Sequence, residues 1–465
     1  MSTIDPRTRL LLEAPIAPTL LRLAAPNVLV MLAQAGAGLI ETWFVGKLGT
    51  DALAGVALVF PVLMTMQMMS AGAMGGGIAS AIARALGARR REDANALAVH
   101  AVLLGVAFSV LFTLGLLWWG APLYRQMGGS GASLQAALTY SNWLFAGSLM
   151  IWLFNSLAAV VRGTGNMALP AVVTCAGLLV LVPLSPLLIF GWGPVPAHGI
   201  AGGAMAILVY YAIGTVAFAL YLRSPSSLLR FSLGGVGLRW PLFRDILRVG
   251  LVATVSSLAT NLTIGVATAL VGTSGPAAIA GYGTASRLEY LLVPLVFGLG
   301  APLVAMVGTC IGAGERERAL RATWIGAAIA GLLCEVVGLA AALFPRAWLS
   351  LFGTDPAMLE AGVRYLQIVG PTYGFFGFGL ALYFASQGAG RLGWPLLGNV
   401  ARLTLGAGGG WLALRLGGGL PWIFAAQAGA LLLYGLVNGW AVAGGAWFGR
   451  PGWPRGPARW AAVRA

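Results

Sequence analysis

The 465 residues are 59% hydrophobic and only 9% charged, with a mean hydropathy of +0.87. A soluble domain carries about 25% charged residues, so the chain has too little polar surface to face water, and the solvent around most of it is lipid. The net charge of +15 points to membrane orientation rather than nucleic acid, because no basic stripe with interleaved aromatics occurs.

In chain order, twelve apolar stretches predict helices near 18–44, 54–80, 95–120, 133–160, 168–190, 199–222, 246–271, 278–311, 320–343, 358–385, 395–414 and 421–447. At 1.5 Å per residue each can cross about 30 Å of hydrocarbon. The first run is too long for a cleavable signal and lacks its small-residue pattern. Pro26, Pro61 and Pro294 sit inside segments and predict kinks. The 68 glycines suit helices in lipid, whose backbones must approach closely because no hydrophobic drive holds them together. Cys175, Cys310 and Cys334 are too far apart for a metal site and read as packing residues; His100 and His198 are too few. No metal or cofactor is expected.

With the N-terminus inside, the inner loops and tails collect twenty-one Lys and Arg residues, Arg89, Arg90 and Arg91 among them. The outer loops hold five: Lys47, Arg125, Arg346, Arg364 and Arg415. Arg287 and Arg402 remain inside helices. This asymmetry places both termini on the cytoplasmic side of a cell membrane, the inner one where a cell has two.

The chain also repeats itself. Val45-Gly46, Gly49, Ala52, Ala54-Gly55 and Gly72 recur 226 residues later as Val271-Gly272, Gly275, Ala278, Ala280-Gly281 and Gly298. Leu86-Gly87-Ala88 recurs as Ile311-Gly312-Ala313, and Gly163, Gly165 and Pro170 recur as Gly388, Gly390 and Pro395. Six spans return the chain to its starting side, so the two copies share one orientation. The expected organisation is a six-helix lobe at 1–222, a basic connection at 223–245, a second six-helix lobe at 246–448 and a basic tail at 449–465.

Four stretches resemble the multidrug and toxic compound extrusion (MATE) family. They are ETWFVGKLGTDALAGVAL at 41–58, ARALGARRREDA at 83–94 with its echo GTCIGAGERERA at 308–319, VRGTGNMALP at 161–170 with its echo at 387–390, and PLLIFGWGPVPAHGIAGGA from Pro186 onward. The resemblance implies an all-α integral membrane fold of twelve transmembrane helices, in two pseudo-symmetric six-helix lobes around a central cleft. It further implies a monomeric exporter in membrane lipid that exchanges cationic or amphipathic organic compounds for protons or, as the lesser expectation, sodium.

Three of the thirteen acidic residues, Glu41, Glu289 and Glu335, fall within spans. A carboxylate in hydrocarbon costs several kcal/mol, and burial favours the neutral form of such acids, the property a proton-exchanging carrier needs. These three are the candidate coupling residues. Glu41 stands where the family usually carries an acid; its alternative is an interfacial role near Lys47. The family's frequent second acid is replaced by Ser185 and its companion Asn by Leu181, which argues against sodium in the first lobe. Gln34 lies two turns before Glu41 on the same face, and Asn155 reaches toward the same lobe. Glu289 is either a proton site or half of an ion pair, with Arg402 as a partner; Arg287 points to another side of its helix. Glu335 is a second proton site or a packing charge. Met64 and Met68, with Tyr373 and Phe376, are either substrate-cavity residues or helix packing, and Arg287 joins them as a cavity candidate.

Two other classes compete. A flippase or exporter of lipid-linked or polyprenyl-linked substrates would want a strongly cationic cavity, and only Arg287 and Arg402 are on hand. An enzyme would need a nucleophile with a base or a His-rich site; the chain has no G-x-S-x-G elbow and no nucleotide loop.

Overall fold

The computed structural model of the protein describes residues 5–230 and 237–449. The basic tail from 450 and residues 231–236 of the expected connection lie outside the described residues. After a short helix, Pro6–Glu13, the apolar stretches become helices: α1 (Ile16–Gly46), α2 (Thr50–Gly87), α3 (Arg91–Gln126), α4 (Gly131–Ala146 with Ser148–Gly163), α5 (Ala168–Phe190), α6 (Ile200–Arg223), α7 (Trp240–Gly272), α8 (Pro276–Gly312), α9 (Arg316–Leu343), α10 (Pro356–Gly388), α11 (Gly393–Arg415) and α12 (Leu420–Ala443). Ten of these are long and apolar enough to span a membrane, and the two halves of α4, bent by 49°, pass the test together. The 23 residues of α11 cover about 35 Å; Asn399, Arg402 and a run of glycines dilute its apolar character.

Helix runs unbroken through Pro26, Pro61 and Pro294. The interruptions fall elsewhere. In α2 a π-helical stretch occupies Met68–Met74, α4 breaks at Gly147, and α10 passes through a 3-10 turn at Gly370–Thr372. In a membrane helix, neighbouring helices can satisfy backbone groups that proline frees, so a prolyl residue alone does not dictate where the helix gives way.

The internal repeat is a structural repeat. Gly49 (φ 111°) and Gly275 (φ 99°) stand immediately before α2 and α8, in a backbone region closed to residues with a Cβ. The turn after α2 takes Arg89 at φ 58°, and its counterpart after α8 is Gly314 at φ 79°. A Cβ on Gly163 would meet the carbonyl oxygen of Ala79 at 2.9 Å, and one on Gly388 would meet that of Val304 at 2.6 Å; the same helix pair closes on the same glycine in both copies. The fourth helix of each copy is broken. One difference stands out: α8 stays α-helical throughout, including Pro294–Gly300, which aligns with the π stretch of α2.

The chain divides into two compact units, one holding Ala25–Gly250 and the other Thr8–Ala24 with Leu251 onward. In the first, the described part of the connection is pinned to α3. Leu228 O accepts from Arg91, Arg230 N–H donates to Asn95 Oδ1, and Arg239 N–H donates to His100 Nε2 at 3.0 Å. Arg84 pairs with Asp245 at 2.7 Å and Arg239 with Asp93 at 2.9 Å. In the second, Arg318 holds the carbonyls of Leu11 and Ala14.

Candidate functional site

The π stretch builds a polar cluster in the first unit. Winding α2 wider over Met68–Met74 shifts the register of the residues that face the neighbouring helices. Gln67 at its edge and Ser70 within it both meet Asn155 of α4. Asn155 Nδ2 donates to Ser70 Oγ at 2.8 Å and to Gln67 Oε1 at 3.3 Å. Gln67 Nε2 donates in turn to the hydroxyl of Tyr211 on α6. Glu41, near the end of α1, interacts electrostatically with Tyr211 and with Tyr140. Its Oε1 is sealed from solvent and, among the described residues, has no hydrogen-bond partner. A hydrogen-bonded chain therefore runs from Asn155 through Gln67 to Tyr211, and Glu41, with its orphan oxygen, is close enough to act electrostatically on that phenol without bonding to it. Such an oxygen is costly when ionised and is satisfied by a proton or a bound cation.

Beside this cluster Tyr210 packs on Tyr211 with ring centroids 4.7 Å apart. The Tyr210 hydroxyl faces Thr174 and Gln34, short of a well-formed hydrogen bond. Ser185 is buried, with its Oγ likewise unpartnered, and Leu181 is buried too. Lys47 stacks on the ring of Trp43 at 3.7 Å and makes no ion pair with Glu41.

The second unit has its own polar group, in which Glu289 is half-buried. Glu289 of α8 accepts a hydrogen bond from Tyr365 of α10. The Tyr373 hydroxyl lies beside that pair without a well-formed bond of its own. Arg402 of α11 is 7% exposed and rests over the rings of Phe376 and Tyr434, at 5.4 and 5.9 Å. Glu289 and Arg402 line one cavity of about 20 Å³ with Thr263, Tyr282, Tyr365 and Gln427, room for a single water.

The MatE family profile matches residues 26–187 and 253–412, one copy in each half of the chain. The chain belongs to the MatE family. A Shewanella oneidensis protein named FAD transporter is 27% identical over 399 residues, covering 85% of this chain and 87% of the relative. A Thermotoga maritima protein named probable multidrug resistance protein NorM is 26% identical over 384 residues, covering 81% and 80%. A solved structure of a MATE in complex with MaD3S matches with a TM-score of 0.85 at 25% identity, covering 94% of this chain and 97% of that one. A structure described as the outward-facing conformation of a multidrug resistance MATE family transporter gives 0.84 at 24% identity, with the same coverage. Members of the MatE family are multi-pass membrane transporters, not enzymes, and the family is one of multidrug efflux. The architecture is the MATE architecture, twelve helices in two lobes.

In this MatE chain the expected site residues distribute over both units. Asn155 lies within the first cluster, with Glu41 and the exposed Gln34 beside it, and Glu289, Tyr373 and Phe376 belong to the second. Glu335 stands apart from Glu289: its Oε2 accepts from the Gly374 N–H at 2.8 Å, at the N-terminal end of the second segment of α10, where a negative charge complements the helix dipole. Arg287 is exposed with its guanidinium over the Phe352 ring at 5.5 Å, away from Glu289. Met64 and Met68 are exposed at 37% and 42%. Gln67, Ser70, Tyr140 and Tyr211 were not legible as site residues. The available signal was a Gln and a Ser three residues apart inside an otherwise apolar span.

Proposed function

We propose that this protein is a secondary exporter that exchanges cationic or amphipathic organic compounds for protons, with Glu41 as the coupling acid and the two units rocking to alternate access. The observation that carries this reading is the buried Oε1 of Glu41, unpartnered among the described residues, in the unit that holds the Asn155–Gln67–Tyr211 hydrogen-bonded chain. In the ionised state that oxygen calls for a cationic neighbour; in the protonated state it is satisfied locally. Proton uptake and substrate binding would therefore exclude one another, which is the requirement for antiport. Sodium is the poorer fit, because a hard cation wants a cage of several oxygens, and Ser185 and Leu181 stand where the family often supplies an acid and an amide. The membrane is the cell membrane, with both termini cytoplasmic, as the excess of inner Lys and Arg argues.

The test is uptake into proteoliposomes of a fluorescent organic cation under an imposed proton gradient. Glu41→Gln, which mimics the protonated acid, is expected to weaken cation binding and to lose gradient-driven uptake, and Lys47→Ala is expected to transport normally. Glu289→Gln and Glu335→Gln, run alongside, report whether the second unit shares the coupling. Gradient-driven uptake by Glu41→Gln at the wild-type rate would end the proposal. The name of the Shewanella relative makes a flavin dinucleotide the second substrate to try.

A further inference from the structure

Arg402 is a cation in the interior of a span, and among the described residues no hydrogen bond or ion pair engages its guanidinium. Its contacts are the ring faces of Phe376 and Tyr434. A cation on aromatic faces is favourable but does not replace a counter-charge in a medium of low dielectric. The carboxylate on the wall of the same small cavity is Glu289, already engaged by Tyr365. No ion pair joins the two charges within 4.0 Å among the described residues, so the void, one water in size, lies between or beside them.

The other groups on this wall are oxygen donors: the phenols of Tyr282 and Tyr365, the hydroxyl of Thr263 and the amide of Gln427. Together with the Glu289 carboxylate they form a ligand set suited to a hard monovalent metal cation. What opposes such an ion is the fixed positive charge. Over a few ångströms, at an effective dielectric of about 20, repulsion between like unit charges weakens binding on the order of 100-fold.

We propose that Arg402 is a tethered cation that determines ion specificity in the second unit: its guanidinium takes the electrostatic place of a dissolved sodium ion beside Glu289 and keeps the oxygen-lined cavity closed to metal cations. This deepens the antiport reading, which leaves protons to drive exchange. It is tested by binding rather than transport, so the two can fail separately.

The experiment is equilibrium binding of radioactive sodium to the purified full-length chain, in the Glu41→Gln background so that the first unit's acid is silent. With Arg402 present no Glu289-dependent sodium binding is expected. Arg402→Gln should create a sodium site at least about 100-fold tighter than any seen with Arg402, Glu289→Gln should abolish it, and Arg402→Lys should leave the cavity closed. A monodisperse Arg402→Gln protein that gains no sodium binding overturns the proposal. Should Arg402→Gln fail to fold, the comparison of Glu41→Gln with Glu41→Gln/Glu289→Gln still decides. Sodium binding that requires Glu289 while Arg402 is in place overturns the proposal, and its absence supports it.

Discussion

A single methyl group can test whether the two copies are held by the same contact. Substituting Gly388 by Ala would put Cβ 2.6 Å from the carbonyl oxygen of Val304 and 3.1 Å from its Cα. At Gly163 the same change meets Ala79 O at 2.9 Å and Ile82 Cβ at 3.0 Å. Ordinary contact begins near ~3.5 Å, so α10 must withdraw from α8 by about 0.9 Å, and α4 from α2 by about 0.6 Å. Because backbone lies on the far side of both contacts, the strain cannot be relieved by a rotamer change. Overpacking of this kind costs about 1–3 kcal/mol, and Ala over Gly in a helix returns at most about 1 kcal/mol. The net loss is then about 1–2 kcal/mol for Gly388→Ala and about 0–1 kcal/mol for Gly163→Ala. Gly36 in α1 supplies the opposite sign: nothing lies within 4 Å of its Cβ position, and Ala there should stabilise by about 0.5–1 kcal/mol. The assay is the thermal midpoint of the detergent-solubilised protein, followed by loss of the monodisperse peak. The expected order is Gly36→Ala above wild type, then Gly163→Ala, then Gly388→Ala. A Gly388→Ala protein as stable as Gly36→Ala would refute the close helix crossing.

Two further outcomes follow from hydrogen bonds. Asn155→Leu keeps the volume but strips donors from Ser70 Oγ and Gln67 Oε1, and should cost about 1–3 kcal/mol in thermal stability and slow gradient-driven exchange more than it weakens substrate binding. His100 receives the Arg239 N–H on Nε2 while Nδ1 faces Ala96 O at 2.8 Å, so its proton sits on Nδ1. His100→Phe retains the tilted ring contact with Phe243 but not the acceptor, and trypsin should then cut the connection at Arg230 or Arg239 faster than in wild type. Unchanged cleavage would remove His100 as the pin.

The spans, their number and the repeat were written in local chemistry. A run of apolar residues is helical in lipid wherever it falls, because every backbone polar group must be satisfied within the segment. The repeat was readable because glycines at positive φ, such as Gly49 and Gly275, answer to the backbone at one point. Glu41, Glu289 and Glu335 were visible as charges out of place, but their surroundings were not. The polar cluster of the first unit draws on α2, α4 and α6, brought together by a π stretch whose residues Met68–Met74 show no breaker that sets them apart from α8. Glu335 meets the start of a half-helix only because α10 breaks at Gly370, and Arg402 shares a void with Glu289 only through the packing of α8, α10 and α11. Hydropathy depends on residues a few positions apart, whereas the pairing of an acid with a phenol depends on the rotation of whole helices about their axes, and that is decided by packing across the entire unit.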